Sequence, residues 1–160
     1  MYQETKRLIL CPFTLADAPA LHEILSDPEV MRHIEPPFDE IRTRAFLEQA
    51  ALCAPPRVFA LREKTTDALV GHVIFHPFEE DAWELGWVLG RIFWGRGYAS
   101  EATAALLDYA CRAGIPRLVI EFLPAQSASR RLAQKFGFVP AGEFDGLERW
   151  EKRIEKRACL

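Results

Sequence analysis

The chain has 160 residues, of which 49% are hydrophobic and 27% are charged, and its formal net charge is −3. This apolar fraction excludes a disordered chain, and the length predicts a single domain over residues 1–160. With 20 basic and 23 acidic residues, the chain lacks the concentrated basic surface that binds nucleic-acid phosphates. We therefore expect no nucleic-acid partner and favour a small molecule or an exposed cationic group.

The cysteine spacing and the hydropathy pattern further narrow the expected thiol chemistry and the expected cellular location. None of the cysteines belongs to a Cys-x-x-Cys pair, so we predict reduced thiols and no metal site. No stretch approaches the ~20 apolar residues that cross a bilayer, and the N-terminal apolar run is too short for a secretory signal. We expect a cytoplasmic protein without a membrane partner, either a monomer or a homodimer. The cysteines are Cys11, Cys53, Cys111 and Cys159.

The first half of the chain predicts a short strand followed by two helices. Thr14 and Asp17 form a capping-box pattern that marks the start of the first helix. A pair of prolines ends the second helix, because proline cannot continue it. The predicted elements are a strand at Arg7–Cys11, a helix over Leu15–Ser26 and a helix over Asp39–Cys53.

The second half begins with strand periodicity. Three strands separated by short turns indicate an antiparallel meander, and the strand, helix and strand that follow indicate a parallel crossover. We predict an α/β fold with a mixed, mostly antiparallel sheet of about seven strands and helices on both faces. The predicted elements are strands at Val58–Glu63, Leu69–Phe75 and Trp83–Leu89, a helix over Ala99–Arg112, a strand at Arg117–Leu123, a helix over Ser127–Phe136, and strands at Phe138–Phe144 and Arg149–Ile154.

The segment between the meander and the long helix carries the clearest chemical signal. Gly95 and Gly97 allow the chain to turn its amide N–H groups inward, and two arginines add positive charge next to a helix N-terminus. Such a segment binds a pyrophosphate, although a purely structural turn has the same glycines. No Gly-Lys-Ser/Thr follows, which excludes a P-loop, and Ser100 replaces the third glycine of the dinucleotide fingerprint.

This segment reads WGRGYA from Trp94 to Ala99. It resembles the pyrophosphate motif Gln/Arg-x-x-Gly-x-Gly/Ala of the GNAT acetyltransferases, and more closely the WGxGYA form of their ribosomal-protein alanine acetyltransferase (Rim-type) branch. The resemblance covers nearly the whole chain in the family's order. The other stretches that carry it are Thr5–Leu10 with Asp27–Met31, Glu84–Trp87 and Lys135–Phe138.

The resemblance implies a GNAT fold in which the bulged strand Trp83–Leu89 splays from the strand Leu118–Leu123. It also implies that the amide-bearing arm of acetyl-CoA, the acyl donor, pairs with the backbone groups this splay exposes, and that its thioester lies between the two strands. The residues expected to bind acetyl-CoA are Trp87, Val88, Leu89, Arg91, Trp94, Gly95, Arg96, Gly97, Tyr98, Ala99, Ser100, Gln126 and Ser129.

The same resemblance implies an N-acetyltransferase in which a primary amine attacks the thioester directly. An ammonium group must lose a proton before it attacks, so a base assists, with Glu84 as first candidate and Glu101 as second. Both also fit ordinary roles, as a solvated strand residue and as a favourable charge at a helix start. Many family members supply the acid for the CoA thiolate with a tyrosine, but the matching residue here is Ala133, so by analogy with the Rim-type branch Ser129 is the expected acid.

The acceptor is left open between a protein N-terminal amine and a small-molecule amine. We expect residues 31–38 and 144–150 to shape its site. The acidic turn Glu79–Asp81 fits attraction of a cation, although an ordinary solvated turn is the simpler interpretation. On one strand, residues four apart such as His72 and His76 are separated by roughly 13 Å, too far to share a metal ion unless the strand breaks. The alternative to an enzyme is a non-catalytic acyl-CoA-binding or regulatory module, because the family's usual tyrosine and asparagine are replaced.

Overall fold

The structure is a computed structural model that describes residues 1–155, in which the chain forms eight β-strands and five α-helices. The strands are β1 (Gln3–Glu4), β2 (Leu8–Cys11), β3 (Val58–Glu63), β4 (Leu69–Glu79), β5 (Ala82–Leu89), β6 (Arg117–Phe122), β7 (Val139–Phe144) and β8 (Leu147–Arg153). The helices are α1 (Ala18–Leu25), α2 (Pro28–Met31), α3 (Glu40–Phe46), α4 (Tyr98–Ala113) and α5 (Ser127–Lys135).

The eight strands form one sheet in the order β1-β2-β3-β4-β5-β6-β8-β7. β5 and β6 pair in parallel, whereas the β1/β2, β2/β3, β3/β4, β6/β8 and β7/β8 pairs are antiparallel. A parallel pair needs a crossover connection, and the 16-residue α4 provides it. The predicted mixed sheet is confirmed. It has one strand more than predicted, because the two-residue β1 is too short to give a periodic pattern.

The largest differences from the predicted elements lie at their ends. β4 continues to Glu79 instead of ending at Phe75. The first helix begins as a 3-10 turn, Leu15–Asp17, before α1, and the second ends as a π-helical turn, Leu47–Ala51, after α3. The capping box at Thr14 is confirmed, since its amide donates to the carboxylate of residue 17 at 2.8 Å.

The described chain divides into two compact units. The first unit comprises residues 1–74 and 87–102, and the second comprises residues 75–86 and those from 103 onward. In the second unit, Phe75 is 1% exposed, and its ring centroid lies 5.0 Å from that of Trp83 and 5.7 Å from that of Tyr109. The core of the first unit is formed by buried side chains that include Phe13, Leu21, Leu25, Met31, Leu47 and Val88. A single domain over residues 1–160 stays a prediction.

Three further observations concern the described residues as a set. None of their helices is long and apolar enough to span a membrane. Cys11, Cys53 and Cys111 are free thiols, while Cys159 lies outside the described residues. No cluster of three or more His, Cys, Asp or Glu side chains within residues 1–155 is placed to hold a metal ion.

Candidate active site

In the first unit, the segment that leads from β5 to α4 turns at two glycines. Gly95 and Gly97 have φ angles of +73° and +78°, in the left-handed region that other residues disfavour. No atom lies within 4 Å of a Cβ placed on Gly95, so the space beside it is open. The backbone conformation, and not a close contact, therefore requires glycine at this turn.

The amides of this segment are available to a ligand. Within residues 1–155, the N–H groups of Gly95, Arg96, Gly97 and Tyr98 donate to no backbone carbonyl. The first carbonyl that the helix uses is that of Gly97, which accepts from the Glu101 amide at 3.0 Å. These amides stand at the start of α4, where the helix dipole places partial positive charge. The segment therefore has the donors and the potential that a diphosphate needs.

The side chain of Arg7 contacts the start of α4 in three ways. Its guanidinium donates to the Arg96 carbonyl at 2.9 Å, forms an ion pair with Glu101 at 2.7 Å, and lies 4.5 Å from the centroid of the Tyr98 ring. Burial alone would raise the pKa of Glu101, but hydrogen bonds from Thr5 and Arg7 outweigh it and hold this pKa below its ordinary value. Glu101 is therefore an ionised partner of Arg7 and a weak proton acceptor.

Several predicted cofactor-binding residues already have partners in the first unit. Trp94 is 48% exposed, and its Nε1 donates to the Leu89 carbonyl at 2.9 Å. Arg91 forms an ion pair with Asp27 at 3.1 Å, and the Tyr98 hydroxyl donates to a glutamate of β3. The Leu89 carbonyl is thus engaged by the protein itself, although it was expected to pair with the cofactor arm.

The end of β5 is also fixed by a close approach of β4. A Cβ placed on Gly71 would lie 2.1 Å from the Val88 carbonyl oxygen and 2.8 Å from the Leu89 Cα. Both of these are backbone atoms that cannot move aside like the tip of a flexible side chain. Only glycine is therefore compatible with the position of β5 in this unit.

In the second unit, the pairing of β5 with β6 ends early. Ala82, Trp83 and Glu84 pair with the first three residues of β6, and the pairing goes no further in the described chain. β6 instead pairs with β8 over its full length, Arg117–Phe122. The early end agrees with the splay that the resemblance implies, and it makes Glu84 the last residue of β5 that pairs with β6.

Glu84 lies beside a histidine that the sequence prediction did not assign to the site. The Nε2 atom of His76 on β4 is 3.0 Å from Oε2 of Glu84, and these side chains are 19% and 24% exposed. Burial raises the pKa of Glu84, and Glu121 acts in the same direction, while His76 and Arg149 oppose it. The net result is a carboxyl group that accepts a proton more readily than a solvated glutamate does.

Arg149 of β8 links the charged groups of the second unit. Its guanidinium contacts Glu121 and Glu79, each at 2.8 Å. It also lies over the rings of Phe144 and Phe78, 4.0 Å and 5.1 Å from their centroids. Such stacking on aromatic faces favours a guanidinium that is partly removed from water.

The acidic turn is neutralised by arginines. Arg117 contacts Glu79 at 3.0 Å, Asp81 at 2.6 Å and Glu151 at 2.7 Å. Since Glu79 also contacts Arg149, the turn presents less free negative charge than its sequence indicates. This argues against the expectation that Glu79–Asp81 attracts a cationic acceptor.

The residues around α5 give the expected acid less support. Ser129 is half-buried on α5, and Ala133, one turn later, is fully buried and has no proton to donate. The side-chain oxygen of Gln126 accepts from the Leu123 amide at 2.8 Å, so it closes a local turn. The side-chain NH₂ of Gln126 is the group left for a hydrogen bond to a cofactor.

Sequence reasoning missed His76, Glu121 and Arg149 as members of the cluster around Glu84. It compared His76 only with His72 along one strand, whereas the important contact is with the neighbouring strand. The sequence did contain a signal for the contact between His76 and Glu84. Only two residues separate β4 from β5, so the two strands form a hairpin in which residues near the turn face one another.

The sheet with an interrupted parallel pair and the glycine-bearing loop before α4 agree with the resemblance to acetyltransferases. The Acetyltransferase (GNAT) domain matches residues 7–139, and the chain belongs to this family. The protein is therefore an acyltransferase enzyme of the GNAT type.

Individual relatives extend over nearly the same length. The chain is 32% identical to the uncharacterized N-acetyltransferase YnaD of Bacillus subtilis, over 95% of this chain and 94% of the relative. A GNAT-family acetyltransferase structure from Bacillus anthracis has a TM-score of 0.87 and 29% identity, and covers 98% of this chain and 99% of its own. The ribosomal L7/L12 α-N-protein acetyltransferase RimL, solved in complex with coenzyme A, shares the fold, with a TM-score of 0.83 and 20% identity over 98% of this chain and 100% of its own.

Proposed function

We propose that this enzyme transfers the acetyl group of acetyl-CoA to a primary amine by direct attack within a ternary complex. The family supports acetyl transfer, and Glu84 supports an amine acceptor, since an ammonium group needs a base to remove its proton. The acceptor is a protein N-terminal amine or a small-molecule amine. The WGRGYA motif from Trp94 to Ala99 supports placement in the Rim-type branch.

In the proposed reaction, the acceptor ammonium loses two protons. The first passes to the carboxylate of Glu84, and the free amine attacks the carbonyl carbon of the thioester. A nitrogen–carbon bond forms, the carbon–sulfur bond breaks, and the second amine proton passes to the CoA thiolate. The products are an amide, the CoA thiol and one proton, which Glu84 returns to solvent.

We assign the diphosphate of acetyl-CoA to the loop before α4. The amides of Gly95, Arg96, Gly97 and Tyr98 are its donors, and the exposed guanidinium of Arg96 adds positive charge. The amide-bearing arm is assigned to the last residues of β5. The hydrogen bond from Trp94 Nε1 to the Leu89 carbonyl must break before that carbonyl can pair with the arm. The remaining proposed contacts are Trp87, Val88, Arg91, Ala99, Ser100 and Gln126.

Ser129 is the proposed proton donor to the CoA thiolate, and its hydroxyl regains a proton from the amine, so the second amine proton reaches the thiolate through Ser129. It is half-buried, and it is a hydroxyl on the same face of α5 as Ala133, one turn away. A thiol has an ordinary pKa of ~8.5, so the thiolate is already a fair leaving group and gains little from an acid. Loss of Ser129 is therefore less damaging than loss of the base.

The position of the half-buried Glu84, 3.0 Å from Nε2 of His76, is the observation that carries the proposal, and burial raises the pKa of this carboxyl group. Glu84→Gln keeps the shape but removes the base, so we expect kcat to fall on the order of 10²-fold with little change in the affinity for acetyl-CoA. Steady-state kinetics and calorimetric binding measure the two quantities. Glu23→Gln, at an exposed position of α1, is the matched control and should retain wild-type rates. Unchanged rates for Glu84→Gln across pH 6–9 would remove Glu84 from the mechanism.

A second candidate function is a non-catalytic acyl-CoA-binding or regulatory module. Two observations favour it: Ala133 offers no acid, and the Gln126 side chain is already bonded to the Leu123 amide. The two functions differ in thiol release from acetyl-CoA in the presence of a panel of amines. The module binds acetyl-CoA and releases no thiol with any amine, whereas the enzyme releases thiol in proportion to acetylated product.

A further inference from the structure

The tautomer of His76 is fixed by its own strand. Nδ1 of the ring lies 2.7 Å from the carbonyl oxygen of Pro77. A carbonyl oxygen accepts hydrogen bonds and cannot donate them, so Nδ1 must carry a proton. In a neutral imidazole the other nitrogen, Nε2, then has a lone pair and no hydrogen.

That lone pair faces a carboxylate. Nε2 is 3.0 Å from Oε2 of Glu84, which is hydrogen-bonding distance. If the ring is neutral and Glu84 is ionised, two acceptors face one another in a partly buried place and repel. The contact is favourable only when a proton lies between the two atoms, where it forms a charge-assisted hydrogen bond. The pair is therefore arranged to hold one extra proton.

We propose that His76 is a positioning residue for Glu84, and that the proton taken from the acceptor ammonium is held between Nε2 of His76 and Oε2 of Glu84. This inference rests on the proposed role of Glu84 as the base. The proton leaves the acceptor nitrogen, whose electron pair then attacks the thioester. The proton binds at the pair, and no oxidant, reductant or further reactant is needed.

The charged groups that face Glu84 come from three strands. His76 lies on β4, Glu121 on β6 and Arg149 on β8. The charge of Arg149 is largely taken up by Glu121 and Glu79, which it contacts at 2.8 Å. His76 is thus the neighbour of Glu84 that can share a proton with it, because the guanidinium of Arg149 keeps its protons.

This arrangement makes a stronger base than a carboxylate alone. A single glutamate gives up its proton well below neutral pH, so it is a weak acceptor for an ammonium proton. When the bridging proton is absent, the repulsion between Nε2 and Oε2 raises the affinity of the pair for a proton. Base catalysis works best when the base titrates near the working pH, and the pair comes closer to that condition.

His76→Gln tests the proposal. The Gln amide can occupy the place of the ring and donate to Glu84, but it cannot take up a proton. We expect the acid limb of the pH–kcat profile to move at least one pH unit lower, because Glu84 then titrates as a lone carboxylate. The plateau should fall about tenfold, since a weaker base transfers the proton less readily. The KM for acetyl-CoA should stay unchanged.

The outcomes separate this inference from the proposed function. His22→Gln, on α1 in the other unit, is the matched control and should leave the profile unchanged. An acid limb that His76→Gln does not move overturns the role of His76. If Glu84→Gln is inactive in the same series, the role of Glu84 nevertheless stands. If both variants are as active as the wild type, the assignment of Glu84 itself fails.

A spectroscopic measurement keeps the proposal testable even where His76→Gln folds poorly. In the wild-type protein labelled with ¹⁵N-histidine, NMR should show protons on both Nδ1 and Nε2 of His76 at low pH, with the Nε2 proton far downfield. In Glu84→Gln, the downfield position should be lost while the Nδ1 proton persists. A wild-type spectrum with Nε2 protonated and Nδ1 bare would overturn the inference.

Discussion

His72, on β4, is a buried ionisable side chain without a full set of partners. It is 3% exposed, its Nδ1 atom has no hydrogen-bond partner, and its ring packs 5.4 Å from the Phe46 ring centroid. Burial lowers its pKa from 6.5 to about 4, so the folded chain keeps the ring neutral. The unfolded chain, in contrast, protonates this histidine as the pH falls below 6.5.

The stability of the protein should therefore decline between pH 6.5 and pH 4 by about 1.4 kcal/mol per pH unit, or roughly 3 kcal/mol in all. Above pH 6.5 both states hold His72 neutral, and below pH 4 both protonate it, so the contribution is flat outside this window. His72→Leu should remove this part of the slope. Urea unfolding of both proteins at pH 7.5, 5.5 and 4.5 measures it, and parallel slopes would refute the assignment.

At the level of elements, the two ends of α4 offer a matched pair of glycines. Gly97 (φ +78°) precedes α4 and Gly114 (φ +71°) follows it, so alanine is strained at both positions. Each substitution to alanine should cost about 1 kcal/mol of stability or somewhat more. Only Gly97→Ala should also weaken acetyl-CoA binding, by about tenfold, because it disturbs the amides assigned to the diphosphate. Calorimetric titration of both variants measures this, and equal affinities would contradict the proposed location.

The sequence predicted features that depend on neighbouring residues. The glycine loop, the capping box at Thr14 and the parallel crossover through α4 are encoded in local spacing and periodicity, and the structure has all three. Contacts between distant segments could not be read in this way. Arg7 and Glu101 meet across 94 positions of sequence, and no local pattern indicates that they pair.

The same limit applies to the candidate site. Glu84 was predicted because the family motif includes it, but His76 and Arg149 depend on strand ends and sheet order. The predicted strand ends at Phe75, so His76 falls just beyond it, in the stretch before the acidic turn Glu79–Asp81. The true strand runs to Glu79, and this difference of four residues decides whether His76 faces Glu84.

For the molecule as a whole, the proposed binding of acetyl-CoA predicts a coupling between binding and folding. A ligand that binds only the folded chain stabilises it by about 2.7 kcal/mol at a hundredfold excess over Kd. For a protein of this size we expect the Tm to rise by roughly 5–10 °C. Differential scanning fluorimetry with acetyl-CoA, and with acetate as a control, measures this rise. A Tm that does not respond to millimolar acetyl-CoA would contradict both the enzyme and the binding module.

The side chain of Arg7 has a consequence for how the protein matures. It contacts the start of α4 across 89 to 94 positions of sequence, so this part of the site is finished only after a long loop of chain has closed. Closing such a loop is slow compared with forming a helix, because the chain loses entropy before the contacts that stabilise the closed loop have formed. A nascent chain would therefore contain a helical α4 before it could capture its acyl donor. In cells with ample acetyl-CoA, the proposed binding of this donor would stabilise the chains that have completed this late step.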